Sequence, residues 1–305
     1  MKVVLMSKLV EKIIRNARIA ASPYFWGFTA QRRIRHPDNR AKMARFLARR
    51  RPQSAIRPGS NATAGLDSLV QNMNQQGYHM LSGLVEPQQV AEMRAYFSEQ
   101  KASDPYRPTF GRFLPLTEAR PETHVAFFDP ETVVKAPHAA ALANHPVLLA
   151  GMEALLGCKP SIGYIAAWWS LPGDGTAEHA ELFHRDVDDW AFYKFFLYLT
   201  DVDERSGPHI YVPGSHNRAS HLDIRRYTDS EAHELGPEVR FTGPAGSCFL
   251  ENTYGMHRGL PPLDRPRLIF QVTYCLMGLP YAPPAPVAPL PQGCDPFINR
   301  FYFKP

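Results

Sequence analysis

SIGYIAAWWS, residues 161–170, opens the part of the chain that decides its fold. It is rich in β-branched and aromatic side chains, and five segments of the same character follow. These are YKFFLYLTDV (193–202), HIYV (209–212), EVRFTG (238–243), GSCFLEN (246–252) and RLIFQVTYCL (267–276). Gly, Pro, Asn and Asp separate most of them, as turns require. Strands this closely spaced, with no long helix between, predict an antiparallel barrel or jelly roll rather than a parallel Rossmann-type sheet. The chain is therefore read as mainly β with flanking α-helices.

The flanks differ in kind. Upstream, LDSLVQNMNQQGYHML (66–81) predicts a short amphipathic helix, a stop at Gly77 and then an apolar run. QQVAEMRAYFSEQ (88–100) predicts a second helix, and residues 146–157 a third that ends at Gly157. Residues 103–135, interrupted by Pro105, Pro108, Pro115, Pro121 and Pro130, read as loop. Downstream of Leu279, eight prolines in 27 residues predict an extended tail over the surface. Residues 51–65, RPQSAIRPGSNATAG, read as a linker. The expected organisation is a leader and linker over 1–64, a β domain over 65–278 and a Pro-rich tail over 279–305.

Composition excludes several classes. With 305 residues, 44% of them hydrophobic and 21% charged, the chain can bury a large core and is not a disordered or collagenous sequence. Its 29 prolines, about double the usual ~5% share, argue against a helical bundle. No run of 18 uncharged apolar residues exists, which excludes a simple membrane-spanning helix. Cys158, Cys248, Cys275 and Cys294 lie far apart, so neither zinc-knuckle nor redox spacing is present, and reduced cytoplasmic thiols are expected.

The charge is uneven. Residues 1–57 carry 15 Lys and Arg against Glu11 and Asp38, a net +13, which leaves −8 for residues 58–305. Met6, Val10, Ile13, Ala17 and Ala20 recur at helical spacing, with Lys8, Lys12, Arg15 and Arg18 on the other face, so residues 2–20 predict a basic amphipathic helix. Packing on the domain and peripheral contact with an anionic membrane through residues 1–57 are both open readings. Nucleic acid is not expected, because no recognition motif accompanies the charge.

The chemistry concentrates in EHAELFHRDVDDW (178–190). His184 and Asp186 form an H-x-D pair just before a strand, and on extended backbone residues i and i+2 project to one side. His257 follows 73 residues later, beyond the strand GSCFLEN and a short turn. Two His and one carboxylate cap one face of an octahedral ion and leave positions open, the arrangement of non-haem Fe(II) sites. Ten residues beyond His257, Arg267 heads an apolar strand, where a guanidinium needs an anionic partner. Several neighbours have blander readings. His216 reads as a turn stabiliser, His179 and Glu181 as solvated loop, Asp188 and Asp189 as solvated or capping, and Lys194, Tyr193 and Tyr198 as barrel-wall packing. Met256 reads as packing. One of Trp168 and Trp169 should face the core and the other the pocket.

FHRD (183–186), SGPHIYVPGSH (206–216), GPAGSCFLENTYGMH (243–257) and DRPR (264–267) together resemble the phytanoyl-CoA dioxygenase family, and GYHMLSGLVEPQQVAEMRAYF (77–97) resembles its opening. The resemblance spans roughly residues 65–278. It implies a double-stranded β-helix core of cupin-like, jelly-roll type, with Fe(II) on His184, Asp186 and His257. It also implies 2-oxoglutarate and O2 as co-substrates, and succinate and CO2 as co-products. By position Arg267 would hold the distal carboxylate of 2-oxoglutarate, with Arg265 as runner-up. Members often carry a hydroxyl residue two positions after the distal His, where this chain has Gly259. Halogenating relatives lack the carboxylate, so Asp186 implies hydroxylation of a small-molecule or carrier-linked substrate. The rival expectations are a cupin-type metalloenzyme that does not use 2-oxoglutarate and an inactive barrel serving as a binding module.

Overall fold

The computed structural model describes residues 22, 24–53, 65–173 and 176–305; the expected helix over 2–20 and residues 54–64 of the linker lie outside the described residues. Among the described residues, thirteen strands run in chain order. They are β1 (Tyr78–Leu81), β2 (Ala102–Ser103), β3 (Arg112–Phe113), β4 (Val125–Phe127), β5 (Ser161–Ser170), β6 (Phe192–Tyr198), β7 (His209–Tyr211), β8 (Val239–Phe241), β9 (Cys248–Glu251), β10 (His257–Gly259), β11 (Arg267–Cys275), β12 (Ala288–Pro289) and β13 (Phe303–Lys304). Nine α-helices accompany them among the described residues: α1 (Phe25–Gln31), α2 (Pro37–Ala48), α3 (Leu66–Gln75), α4 (Pro87–Ser98), α5 (Pro130–Lys135), α6 (Ala139–Ala143), α7 (Pro146–Leu156), α8 (Asp229–His233) and α9 (Pro296–Asn299).

Eight strands form one antiparallel sheet in the order β1-β9-β6-β11-β5-β4-β2-β3. A smaller sheet, β10-β7-β8, faces it and is widened by a bridge between His184 and His257 and another between Phe183 and Tyr227. The segments expected to be strands all contribute; β10, only three residues long, was hidden in what reads as a turn.

The period-2 alternation of these strands explains the two cores. On β11, Leu268, Phe270, Val272 and Tyr274 turn outward to a core shared with α3 to α7, while Arg267, Ile269, Gln271 and Thr273 turn into the barrel. On β6, Phe195 and Leu197 point out, and Lys194, Phe196 and Tyr198 point in. A helix-covered outer face and a partly polar inner face place the chemistry between the sheets. The most apolar stretch, Ala139–Leu156, is hydrophobic enough by composition to cross a bilayer. It is two helices separated at Asn144 and His145, however, and it buries Leu142, Leu148 and Met152 in the outer core.

Two segments depart from expectation. Residues 103–135 contain the short strands β3 and β4 and the helix α5, the last capped by Asp129, whose carboxylate accepts from Thr132 N at 2.9 Å. The Pro-rich tail does run over the surface through residues 281–297, but its end is anchored: β12 and β13 pair in parallel, and Tyr302 is fully buried. Its hydroxyl accepts from Ile165 N at 2.8 Å and donates to Ile165 O at 3.3 Å. Proline content concealed the aromatic anchors that pull this segment into the outer core.

Residues 25–53 also pack on the domain. Ala44 and Ala48 of α2 meet Leu156, Cys158, Trp190 and Leu276. Arg40 is buried and donates to the carbonyls of Gln31 and Asp189. Gln31 Nε2 donates to Val187 O at 2.7 Å and Arg32 Nη1 to the same oxygen at 3.3 Å. This arm therefore braces residues 187–190, which directly follow Asp186.

Candidate metal centre

His184, Asp186 and His257, distant along the chain, converge. One potential ligand atom from each lies within 4.8 Å of the others. The Asp186 carboxylate oxygens stand 3.6 Å from His184 Nε2 and 3.4 Å from His257 Nε2. The backbone sets this arrangement. Residue 184 pairs with residue 257, and Asp186 N donates to Thr253 O at 2.9 Å. His184 Nδ1 lies 2.9 Å from Leu182 O, and His257 Nδ1 lies 3.0 Å from Gly255 O. A carbonyl acceptor fixes the proton on each Nδ1 and leaves each Nε2 lone pair free, the tautomer a metal requires.

Electrostatics treat the two rings differently: burial opposes the charge of His257, but Asp186 and Glu251 outweigh it and raise the ring above the usual imidazole range. Burial, then the neighbouring His257, holds His184 well below the usual imidazole range, so it stays neutral. Burial opposes the charge of Asp186, but Lys194 and the two imidazoles outweigh it and hold the carboxyl well below the usual range. Lys194 lies 2.6 Å from Asp186 Oδ2 and 3.0 Å from Asp188 Oδ2. The sequence places Lys194 in the barrel wall, where it is, but does not reveal its grip on Asp186. Asp188 was expected in solvent; it lines the cavity beside Lys194 and Tyr281 instead. Glu181 likewise lines the cavity, buried against His124 at 2.9 Å. Asp189 is neither solvated nor a helix cap: it is buried, and its carboxylate accepts from Trp190 N and Met277 N.

The triad opens into a cavity of about 240 Å³ walled by Val125, Phe127, Tyr164, Trp168, Phe196 and Tyr281. Trp168 stacks on Phe127 inside it, while Trp169 joins the outer core. Tyr193 also faces outward. Tyr198 faces in and donates to Phe241 O. His216 is buried, with Nε2 3.2 Å from Asn74 O, which matches the turn-stabilising reading, and Met256 packs behind the smaller sheet. His179 stacks on Tyr106 with ring centroids 3.6 Å apart.

Arg267 lies at one end of the cavity and is 4% exposed. Ser170 Oγ accepts from its Nη2 at 3.0 Å, but Nε and Nη1 are buried with no hydrogen-bond partner among the described residues. Arg265 instead sits at the surface, paired with Asp203 at 2.6 Å. At Gly259 a Cβ would stand 3.1 Å from Arg267 Nη2, so the missing hydroxyl residue leaves room for the guanidinium, and Ser170 presents a hydroxyl from the facing strand.

Polar residues inside apolar strands were the missed signal. Glu251 and Gln271 alternate with outward apolar residues and point into the barrel. The Glu251 carboxyl lies 2.7 Å from His209 Nε2, and burial pushes it up to about 8. Gly255 is a second omission. A Cβ there would fall inside the Tyr211 hydroxyl and 2.5 Å from its Cζ. Gly255→Ala should therefore push apart Tyr211 and the carbonyl that orients His257. A stability loss of about 1–3 kcal/mol is expected from overpacking. A roughly 10–100-fold loss of Mn(II) affinity by calorimetry is expected from the disturbed support. Unchanged metal affinity would show that the carbonyl is not what aims the ring.

The facing sheets, with two imidazoles and a carboxylate between them, define a cupin-like double-stranded β-helix oxygenase. The chain belongs to the phytanoyl-CoA dioxygenase (PhyH) family, whose profile matches residues 73–262. Among curated proteins, none matches the sequence. The fold is similar to that of the non-heme alpha ketoglutarate dependent epimerase SnoN from nogalamycin biosynthesis, at 20% identity and TM-score 0.52, over 69% of this chain and 83% of that one. It is also similar to EctD from S. alaskensis, crystallised with 2-oxoglutarate and 5-hydroxyectoine, at 18% identity and TM-score 0.51, over 84% of this chain and 92% of that one.

Proposed function

We propose that this protein is an Fe(II)- and 2-oxoglutarate-dependent dioxygenase that hydroxylates a small organic substrate and releases succinate and CO2. The catalytic domain in this reading is residues 65–278, and His184, Asp186 and His257 hold the iron. When bound, the metal supplies open positions for co-substrate and dioxygen. The observation that carries the reading is Arg267: two buried donor nitrogens without an acceptor among the described residues, on a side chain that lines the same cavity as the triad. A buried guanidinium left so is costly unless an anion completes it, and its planar fork suits a carboxylate. The distal carboxylate of 2-oxoglutarate meets that need. A cupin enzyme that works without 2-oxoglutarate would leave those donors empty.

Each side chain has a definable task. The two Nδ1–H bonds fix the tautomer and aim of the imidazoles, Lys194 holds Asp186 Oδ2 beside His257 and leaves Oδ1 beside His184, and Phe127, Trp168 and Phe196 supply apolar wall to the pocket. The same aromatic walls favour a substrate with a flat or apolar portion. The intact Asp186 argues for hydroxylation or a related oxidation over halogenation, and the outcome is not taken from the fold neighbours, which include an epimerase.

Anaerobic titration with Fe(II) and then 2-oxoglutarate tests the assignment. A weak visible charge-transfer band should appear only when both are present and should be absent from Asp186→Ala. A band-free titration, or one indifferent to that substitution, would overturn the reading. Succinate release across candidate substrates then identifies the substrate.

A further inference from the structure

The arm that braces residues 187–190 has an outer face that the oxygenase reading does not use. On α2, Arg40, Ala44 and Ala48 are buried against the domain. The opposite face presents Lys42, Arg45 and Phe46, all exposed and sharing one side of the helix with the exposed Asp38, and Arg49 and Arg50, also exposed, follow directly at its C-terminal end. Arg33, just after α1, is exposed as well. None of Arg33, Lys42, Arg45, Arg49 or Arg50 has a carboxylate partner among the described residues. Arg94, Lys101, Arg120, Arg218 and Lys304 are likewise exposed without a carboxylate in ion-pair range among the described residues, but they lie singly on separate elements, so what sets the α2 cations apart is their clustering. Arg112, Arg205, Arg225, Arg240 and Arg265 each sit within ion-pair distance of an aspartate or glutamate.

Apolar groups stand among these cations. Phe46 is 51% exposed and carries the Arg50 guanidinium over its ring at 3.7 Å. Ile34, Met43 and Phe46, with Lys42, line a shallow hollow beside it, and Trp26 of α1 is 78% exposed. Unneutralised Lys and Arg around exposed aromatics are what the headgroup region of an anionic bilayer accommodates: phosphates take the cations, and rings enter the acyl boundary. A nucleic-acid duplex, with its bases stacked inside, would satisfy the charge but leave the aromatics and the hollow without a partner.

We propose that the exposed face of α2, with Arg33 and Trp26, docks this protein on an anionic lipid bilayer. The proposal is independent of the reaction assigned above. Docking would bring the membrane to the arm that touches the cavity wall, since Phe28 of α1 packs edge-on against Tyr281 with ring centroids 6.5 Å apart.

The test is co-sedimentation of the full chain with large unilamellar vesicles. One set is pure phosphatidylcholine and the other contains about one-third phosphatidylglycerol. Binding should occur only to the anionic set and weaken as salt is raised. The triple variant Lys42→Glu, Arg45→Glu, Arg49→Glu should lower partitioning by at least about 100-fold, given the usual contribution of each cation near a charged surface. Phe46→Ser should lower it by a smaller, salt-independent factor. The melting temperature and Mn(II) affinity of both variants should match the parent, which shows that they fold. Three outcomes would overturn the proposal. The first is equal binding to both vesicle sets, and the second is anionic binding that the triple variant retains. The third is no vesicle binding together with a salt-sensitive shift of duplex DNA or a salt-sensitive dimer.

Discussion

Asp186→Ala is expected to eliminate the metal site and to lower turnover by well over the roughly 10–100-fold that loss of a supporting partner costs. The reason is twofold. The substitution removes one of three ligand side chains, and it frees Lys194, which is buried and held by two carboxylates 2.6 and 3.0 Å away. Breaking a buried pair costs about 3–5 kcal/mol; with Asp188 still in place, the lower end applies to the metal-free protein. The pH dependence has a definite sign. Because the folded pKa of Asp186 is depressed, its contribution is fully present above the ordinary carboxyl value of 3.8 and is lost as pH falls below it. Asp186→Asn should therefore flatten the acid limb of the stability profile measured by denaturant unfolding without metal. If Asp186→Ala binds Mn(II) as the parent does, the triad is not the metal site.

Arg267→Met should do the opposite to stability and almost as much damage to function. The guanidinium is buried, burial lowers its pKa, and two of its donors lack acceptors, so the metal-free protein carries an uncompensated cation. Replacing such a group by an apolar side chain of similar length is often neutral or stabilising by about 1–4 kcal/mol. The expected result is a melting temperature equal to or above the parent, unchanged Mn(II) affinity, and 2-oxoglutarate affinity reduced by about 30–5000-fold, the equivalent of about 2–5 kcal/mol for one partner of a buried charge pair. A variant that is destabilised yet still binds 2-oxoglutarate would show that the arginine serves the fold instead. The conservative variant Arg267→Lys should recover little, because an ammonium cannot present the paired donors.

The core of this fold was legible because its signal is local. The alternation in RLIFQVTYCL and YKFFLYLTDV marks strands with two different faces, and the structure uses both faces. The H-x-D pair and Arg267 were legible for the same reason: charged groups at the ends of apolar strands need partners. What escaped reading depends on tertiary placement. Asp188 and Glu181 look like loop carboxylates, and only the barrel shows that one meets Lys194 and the other His124. Gly255 reads as a turn residue until Tyr211 is seen against it. The choice between Trp168 and Trp169 depends on strand phase, which the sequence leaves ambiguous because β5 is apolar on both faces.

The hydroxyl of Tyr302 has a consequence for solubility. Strand β5 pairs with β4 only at Trp168, Trp169 and Ser170, so the stretch before these residues is a sheet margin lacking a neighbour strand on that side. Unpaired amides and carbonyls on such margins recruit other chains. Tyr302 occupies both backbone groups of Ile165, and the segment around it covers the border. Proteolysis that strips residues 300–305 would thus convert a guarded flank into an adhesive one, and the cleaved protein would be lost to self-association before it lost its reaction centre.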